Sequence, residues 1–333
     1  MDEDAVVPTQ LPNIGVVVIG RNEGERLVKC LESARSKVSR LVYVDSGSTD
    51  GSAVTAERLG AHVVALNSSR PFTAARARNE GAKALLALYP EISFIQFVDG
   101  DCELQEDWLI VASDFLARHG DVAAVCGRRR ELHISASIYN RLCDLEWDTP
   151  VGQTLACGGD SLVRWRAFEQ AGGFAEGLIA GEEPELCLRW RAMGWKIWRV
   201  HAEMTKHDAA LTRFCKWWLR TMRGGYAMAE VATLHWRDPL AIWKKEIISV
   251  LFWGFVVPAC IAFASLRSPV GLASVLIYPA QISRIAIRRG PTGGDSWIYA
   301  MFVTLAKFAE FQGVTTYYWR MLSQRSATLI EYK

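Results

Sequence analysis

The sequence predicts an α/β fold: a mostly parallel sheet with helices on both faces, followed by a helical, membrane-associated C-terminal region. Three observations lead to this prediction. Short apolar runs alternate with helical segments up to about residue 200, polar residues follow several of these runs, and the C-terminal third is strongly apolar. The 333 residues suffice for one large domain or two smaller ones. The formal net charge of +2 gives no indication of a nucleic-acid partner.

The apolar runs are short and rich in β-branched residues, as expected for strands buried on both faces of a sheet. These runs are residues 14–20, 40–46, 61–67, 93–99 and 121–127. Helices are predicted between them at residues 24–37, 51–60, 72–88 and 106–118. This alternation is typical of βαβ units with right-handed crossovers, in which the chemistry lies at the carboxyl ends of the strands.

Polar residues follow three of the runs: Arg21-Asn22-Glu23, the segment 45–51, and Asp99-Gly100-Asp101. Two carboxylates one residue apart at a strand end can hold a hard divalent cation, Mg²⁺ or Mn²⁺, which would neutralise a diphosphate. A solvated acidic turn is the alternative for any D-x-D pattern. The apolar strand that precedes Asp99 favours the metal site.

Asp45 ends a buried run and is positioned to hydrogen-bond a nucleoside, as an acidic strand end does in dinucleotide-binding folds. Helix capping by residues 48–50 explains part of this segment. No G-x-G-x-x-G pattern follows the first run, which argues against a Rossmann dehydrogenase. Arg76 and Asn79 lie one helical turn apart and could face the nucleotide together, whereas Arg78 is expected to be solvated.

Glu182 and Glu183 begin a predicted helix whose inward stripe is formed by Leu186, Trp190 and Met193. They could serve only to complement the helix dipole. The functional interpretation is that one of them is a general base for an acceptor hydroxyl.

Eight cysteines occur, without a C-x-x-C pair and without histidines at zinc-ligand spacing. Scattered free thiols are typical of a reducing cytosol. The first thirteen residues are acidic and lack the apolar stretch of a signal peptide, so a disordered leader is predicted there.

The residue composition changes beyond residue 210. Residues 211–235 intersperse basic and aromatic side chains, as in an amphipathic helix at a membrane surface. Residues 247–266 are twenty residues without a charge, enough to cross a bilayer. The run 269–283 is shorter and is followed by Arg284, Arg288 and Arg289, and the run 297–319 contains Lys307 and Glu310.

Taken together, these motifs resemble family 2 glycosyltransferases of the GT-A (Rossmann-like) fold. The resemblance covers about residues 14–210 and is carried by the order RNE, VDSGSTDG, AARARNEGA, VDGD, CGGDSLVRWRAFEQAGGF and GEEPELCLRWRAMGW. It implies an inverting transfer from a nucleoside-diphosphate sugar, usually linked to uridine. The Q-x-x-R-W pattern of processive polysaccharide synthases is absent, so the transfer of a single sugar is expected.

The resemblance also implies roles for particular residues. Asp45 matches the carboxylate that binds base and ribose, and Arg21, Glu23, Arg76 and Asp99 join it on the nucleotide side. Asp101 matches the direct metal ligand, with His207 as a second candidate. Gly158, Gly159 and Asp160 fall at the acceptor-side loop. Glu183 stands where the family has its catalytic Asp; because Glu is one methylene longer, Glu182 and Glu185 stay open as alternatives. Arg220 and Arg223 could reach the diphosphate or bind the membrane surface.

These predictions divide the chain into a leader (1–13), a GT-A domain (14–210), amphipathic interfacial helices (211–245) and membrane-embedded helices (246–333). The expected partners are a nucleotide-sugar donor, a lipid-linked or glycan acceptor, and membrane lipids. The expected location is the cytoplasmic membrane, with the catalytic domain facing the cytosol. A sugar nucleotidyltransferase is disfavoured because the loop after the first strand lacks a Gly-rich basic pattern. A non-catalytic membrane scaffold is disfavoured because the acids at 45, 99, 101 and 183 are intact.

Overall fold

The computed structural model describes residues 13–290 and 293–323. Within them, the contacts divide the chain into two compact units. Unit 1 comprises residues 13–130, 149–176 and 189–208, and unit 2 comprises residues 131–148, 177–188 and the described residues from 209 onwards. The predicted leader lies outside the described residues except for Asn13.

Unit 1 is built on a nine-stranded sheet, counted over the described residues. The strands are β1 (Ile14–Gly20), β2 (Leu41–Asp45), β3 (His62–Ala65), β4 (Phe94–Asp99), β5 (Cys102–Leu104), β6 (Val122–Glu131), β7 (Gly152–Thr154), β8 (Ser161–Arg164) and β9 (Lys196–His207). Their order is β3-β2-β1-β4-β8-β6-β9-β5, and β7 pairs with β9. All five predicted strands are present, and the α/β fold class is confirmed.

The sheet is mixed rather than mostly parallel. Strands β1 to β4 pair in parallel, whereas β8 pairs antiparallel with β4 and β6, and β9 pairs antiparallel with β5 and β7. The later strands are antiparallel because β8 runs back beside β4 instead of returning through a helix. A second difference concerns β3, which was expected to be buried on both faces. It is an edge strand, and both of its end residues are exposed.

The helices, numbered along the chain, are α1 (Glu25–Arg35), α2 (Ser52–Arg58), α3 (Ala74–Leu88), α4 (Trp108–Arg118), α5 (Ile138–Glu146), α6 (Trp165–Gln170), α7 (Glu182–Ala192), α8 (Phe214–Leu234), α9 (Lys244–Leu251), α10 (Val257–Arg267), α11 (Ile277–Arg289) and α12 (Gly294–Leu322). The first four agree with the predicted helices within a few residues. In unit 1, α3 lies close to the sheet at Gly81, where a Cβ would meet the side chains of Val17 and Val44 at 2.3 and 2.9 Å.

In unit 2, α8 packs along α12, and the crossing depends on two glycines. A Cβ at Gly225 would lie 2.2 Å from the backbone oxygen of Glu310, and one at Gly313 would lie 2.0 Å from that of Met222. The aromatic side of α8 was expected to face a membrane surface. Trp217 is instead 2% exposed and packs with Leu142 of α5 and Phe302 of α12, so this part of the helix faces protein.

Two helical segments of unit 2 are long and apolar enough to cross a membrane, judged by length and composition. They are Lys244–Arg267, of 24 residues with mean hydropathy 2.4, and Pro269–Arg289, of 21 residues with mean hydropathy 1.5. The first includes a π-helical turn at Phe252–Val256 and the second opens with 3₁₀ turns at Pro269–Leu276. The second segment is longer than the predicted run 269–283 because the helix continues to Arg289.

The charged pair expected in the third apolar run is present in α12. The Lys307 ammonium lies 2.7 Å from the Glu310 carboxylate, one helical turn away. Mutual compensation of this kind lowers the cost of placing two charges on an apolar helix.

The crossing of α8 and α12 leads to a first prediction. Gly225→Ala should lower the melting temperature of the purified protein, because the added methyl meets backbone that cannot rotate away; overpacking of this kind costs about 1–3 kcal/mol. Gly224→Ala is the matched control, since a Cβ there has no neighbour within 4 Å. The control should be neutral or stabilising by about 0.5–1 kcal/mol. Equal melting temperatures for the two variants would contradict the close helix crossing.

Candidate active site

The acidic strand ends lie side by side in unit 1. In the sheet register, Gly20 of β1 is paired with Asp45 of β2, and Ile19 of β1 is paired with Asp99 of β4. The two carboxylates therefore flank the end of β1 and the Arg21–Glu23 segment that follows it. The structure brings these residues to the edge where parallel strands place their chemistry.

Asp45 organises the loop that follows β2. Its Oδ2 accepts hydrogen bonds from the amides of Gly47 and Ser48 at 3.0 and 2.8 Å, and its Oδ1 accepts one from the Tyr43 hydroxyl at 3.0 Å. Burial, and then the Asp45 charge, raise the pKa of the Tyr43 hydroxyl, which keeps it a donor. The contact of Asp45 with a base or ribose stays a prediction.

The loops after β1 and β2 are held together by side chains on both. Asn22, which has φ +55°, accepts a hydrogen bond from the Thr49 amide at 2.7 Å. Asp50 accepts from the Gly24 amide at 3.0 Å and from the Ser52 amide at 3.0 Å. The hydrogen bond from the Ser52 hydroxyl is the main cause that lowers the pKa of Asp50. The 45–51 segment is therefore a loop ordered by hydrogen bonds of its own as well as the segment that leads into α2. Arg21 lies outside it, with its guanidinium 5.8 Å from the centre of the Phe72 ring.

Asp99 lies in a cluster of charges at the end of β4. The Arg78 guanidinium donates to its Oδ1 at 2.9 Å, and Arg129 lies 3.8 Å from its Oδ2. Its amide donates to Asp160 Oδ1 at 3.1 Å. Glu23, from the loop after β1, instead pairs with Arg26 at 2.6 Å.

Asp160 is the buried centre of this cluster. It is 0% exposed, and its Oδ2 lies 2.8 Å from both the Arg129 guanidinium and the Thr205 hydroxyl. This burial shows a structural role for the Asp160 carboxylate as the partner of Arg129 and Thr205, and its predicted place at the acceptor-side loop stays a prediction. Gly158 is exposed and Gly159 is buried beside it, and their acceptor-side role stays a prediction.

Arg129 compensates the buried carboxylates. Burial alone would lower the pKa of its guanidinium, but the charge of Asp160, the largest opposing contribution, raises it above its ordinary value. Arginine is a suitable counter-charge here because it keeps its proton in a buried site. Removal of this cation would leave Asp160 without its charged partner.

Arg78 was expected to be solvated, and this prediction is wrong. It is 2% exposed and is the cation of α3 that meets Asp99. Arg76, which was assigned to the nucleotide, donates instead to the carbonyls of Arg70 and Pro71 at 2.9 and 3.3 Å, in the loop before α3. Asn79 holds the Phe174 backbone through both its amide and carbonyl groups. A nucleotide contact by Arg76 stays a prediction.

Asp101 and His207 form the candidate metal site. The antiparallel register pairs Cys102 of β5 with His207 of β9, and His207 Nε2 lies 3.4 Å from Asp101 Oδ1. The ligand atoms of Asp101, Cys102 and His207 all lie within 4.8 Å of one another. The Cys102 thiol points at Asp101 Oδ1 as a donor at 3.7 Å, and burial raises its pKa. A carboxylate oxygen and an imidazole nitrogen therefore remain to bind a cation, a donor pair that suits Mn²⁺ and accommodates Mg²⁺.

The three glutamates at the start of α7 belong to unit 2, and they differ in environment. Glu185 is 4% exposed, and its Oε1 lies 3.0 Å from His235 Nε2. Glu182 is also 4% exposed, whereas Glu183 is partly exposed. Glu183 is therefore the most accessible of the three to an incoming hydroxyl.

Arg220 and Arg223 also belong to unit 2, on α8. The Arg220 guanidinium lies 2.9 Å from the Glu146 carboxylate, and that of Arg223 donates to the Ile179 carbonyl at 2.9 Å. These contacts hold both side chains within their own unit. The predicted contact with a diphosphate has no support from them and stays a prediction.

One family model matches part of the sequence. The family model described as Glycosyl transferase family 2 matches residues 15–155, a segment that includes Asp45, Asp99 and Asp101. No curated protein matches the sequence at a significant level.

Comparison with solved structures concerns the fold. The mannosyltransferase PcManGT from Pyrobaculum calidifontis, described in complex with GDP-Man and Mn²⁺, has a TM-score of 0.61 and 19% identity over 89% of this chain and 87% of its own. S. aureus TarS has a TM-score of 0.50 and 13% identity over 90% of this chain and 55% of its own. Its 1–349 fragment has a TM-score of 0.49 and 14% identity over 93% of this chain and 92% of its own. The first similarity establishes the GT-A fold.

The charge cluster leads to a second prediction. Arg129→Met should destabilise the protein by about 3–5 kcal/mol, because breaking a buried ion pair leaves an uncompensated charge in the interior. Arg130→Met is the control on the same strand: Arg130 pairs with Glu203, and these side chains are 44% and 50% exposed. An exposed pair contributes about 0–1 kcal/mol. The measurement is denaturant unfolding, and similar losses for the two variants would rule out Arg129 as the cation on which the cluster depends.

Proposed function

We propose that this chain, which has the GT-A fold and matches the Glycosyl transferase family 2 model over residues 15–155, transfers a single sugar, with inversion, from a nucleoside-diphosphate sugar to a lipid-linked or membrane-proximal glycan acceptor. The observation that carries this proposal is the juxtaposition of Asp101 and His207 beside the Arg78–Asp99 pair, at the carboxyl edge of the parallel strands. This edge provides ligands for a cation and a loop of backbone amides within one unit.

The donor occupies the ends of β1, β2 and β4 in this proposal. Asp45 fixes the 45–51 loop and faces the nucleoside, and Arg21, Glu23, Arg76 and Asp99 complete the nucleotide side. The mannosyltransferase of similar fold is described with GDP-Man. We expect a uridine-linked donor, so UDP-sugars and GDP-sugars are compared directly in the assay.

Asp101 and His207 hold the divalent cation, Mn²⁺ or Mg²⁺. The fit rests on their donor atoms, a carboxylate oxygen and an imidazole nitrogen 3.4 Å apart. A cation bound there supplies positive charge to the diphosphate as it leaves. Arg78 and Arg129 pair with Asp99 and Asp160, so these two neighbouring acids already have cations of the protein as partners.

Glu183 is the general base. The acceptor oxygen attacks the anomeric carbon, the bond from this carbon to the diphosphate oxygen breaks, and the hydroxyl proton passes to the Glu183 carboxylate. This assignment rests on the family motif and on the accessibility of Glu183 relative to its neighbours. Glu185 is less suitable because it is buried and paired with His235.

The apolar segments Lys244–Arg267 and Pro269–Arg289 attach the protein to the cytosolic face of the cytoplasmic membrane in this proposal. Most of their residues are not buried within the protein, and large apolar side chains such as Phe255, Phe263 and Leu272 are exposed. A lipid surface is the environment that removes such side chains from water.

The metal site leads to a third prediction. Asp101→Asn should abolish both sugar transfer and the Mn²⁺-dependent rise in melting temperature on adding a nucleotide sugar, because an amide supplies no charge to the cation. Asp107→Asn is the control, since Asp107 is exposed and makes no side-chain capping hydrogen bond to α4. A panel of UDP- and GDP-sugars, with and without chelator, identifies the donor. Near-normal transfer by Asp101→Asn in chelator would overturn the metal-dependent mechanism.

The base leads to a fourth prediction. Glu183→Gln keeps the shape of the side chain but removes its basicity, so kcat should fall by about 10²–10⁴-fold while donor binding persists. Transfer is measured by product formation, and donor binding by thermal shift. Glu182→Gln is the matched variant one residue away. If Glu182→Gln shows the loss and Glu183→Gln does not, the base is Glu182.

Membrane attachment leads to a fifth prediction. Washing membranes with concentrated salt should leave the full-length protein in the pellet, because insertion of apolar helices is insensitive to charge screening. Detergent should release it. Quantitative release by salt alone would show that the attachment is electrostatic and that the two apolar segments are not inserted.

A further inference from the structure

One face of α8 lies along the segment that leads into α7, residues 177–181. Arg223 donates to the Ile179 carbonyl, and a Cβ at Gly181 would meet Ala227 and Val231 at 3.3 Å. The α8 contact residues are spaced by about one helical turn, so they share one face of the helix. At its C-terminal end, His235 pairs with Glu185 of α7 at 3.0 Å.

Ile179 is held by α8 at three points. Its carbonyl accepts from the Arg223 guanidinium at 2.9 Å, and its amide donates to the Glu230 carboxylate. Its side chain is 4% exposed and packs on Tyr226. Arg223, Tyr226 and Glu230 follow each other at intervals of three and four residues. The backbone of this one residue therefore has both its polar groups bound to the same helix.

Glu230 is an acidic residue on a helix that is packed against other parts of the protein. Its Oε2 is buried without a hydrogen-bond partner among the described residues. Burial raises the pKa of this carboxyl to about 7, and the Ile179 amide lowers it by a smaller amount. The ionisable neighbours are Tyr226 on the same helix and Tyr317 on α12, and the Arg320 guanidinium of α12 lies over the Tyr226 ring. A half-buried carboxyl with one oxygen out of contact with water costs stability and indicates a role beyond packing.

We propose that Arg223 and Glu230 are positioning residues, which fix the backbone at Ile179 and thereby the place of Glu183 four residues later. This inference rests on the proposed function, in which Glu183 is the base. Gly181 makes the arrangement possible: it adopts φ +83°, a conformation that favours glycine, immediately before α7 begins. The Glu185–His235 pair holds the first turn of α7 to α8 from the other end.

The test separates positioning from donor binding. Arg223→Gln should lower kcat by about 10–100-fold, the scale expected when a reacting group moves by about 1 Å, while the donor KM stays unchanged. Arg223→Lys should recover part of the loss, because an ammonium still donates one hydrogen bond. Glu230→Gln should keep most of kcat, since its carbonyl accepts from the Ile179 amide, whereas Glu230→Ala should not. Lys216→Gln, on the same helix, removes a charge and should change nothing.

Hydrogen exchange provides a readout that does not depend on activity. In Arg223→Gln and Glu230→Ala, amides 177–181 should exchange faster, while amides in the α8–α12 crossing should keep their protection. A raised donor KM with unchanged kcat in Arg223→Gln would show that Arg223 binds the donor. Unchanged exchange at 177–181 would overturn the positioning role, even if the wild-type chain transferred no sugar. Full activity of Glu183→Gln would instead reject the base, and with it the proposed mechanism.

Discussion

The burial of Asp160 is the constraint on which the candidate active site depends. Moving a carboxylate out of water costs several kcal/mol unless its oxygens are satisfied. Here the oxygens accept hydrogen bonds from the Asp99 amide and the Thr205 hydroxyl, and the Arg129 guanidinium forms an ion pair with one of them at 2.8 Å. These groups come from β4, β9 and β6, so satisfying one carboxylate ties three strands together beneath the site. The position of Asp99 follows from this network.

The antiparallel strands of the sheet therefore contribute side chains to the candidate active site. The parallel strands supply Asp45 and Asp99 by ending at one edge. The antiparallel strands supply side chains that contact the neighbouring acids. Arg129 of β6 and Thr205 of β9 contact Asp160, and His207 of β9 lies next to Asp101. Because β9 is twelve residues long, one end of it pairs with β7 while the other sets His207 beside Cys102. Strand length thus decides which residue reaches Asp101.

The sequence predicted the features that depend on local pattern. Apolar runs located the strands, and the rule for parallel strand ends located Asp45, Asp99 and Asp101. It did not predict Arg129 as a counter-charge for these acids, because antiparallel pairing is a long-range property without a local period. Arg129 lies in the segment RRRE (128–131), which follows the predicted run 121–127 and belongs to β6 in the structure. The arginines directly after this apolar run were the sequence feature that could have indicated a longer strand with a buried cation. Arg78 was misjudged because α3 buries a wider face than the Arg76–Asn79 pair suggested, and Trp217 because an aromatic helix can equally face protein.

Unit 2 contains two features that lie far apart in the sequence. It contains both the start of α7, with Glu183, and the apolar segments Lys244–Arg267 and Pro269–Arg289. Helix α8 contacts the start of α7 through the Arg223–Ile179 hydrogen bond, and His235 at its C-terminal end pairs with Glu185. The same helix crosses α12 at Gly225. In the proposed function, membrane insertion therefore sets the depth of the base relative to the lipid surface. A hydroxyl on a lipid-linked acceptor is likewise confined to a narrow layer above the bilayer, whereas a soluble acceptor gains nothing from this arrangement. The coupling of base and membrane segments within one unit thus favours an acceptor that is itself held at the membrane.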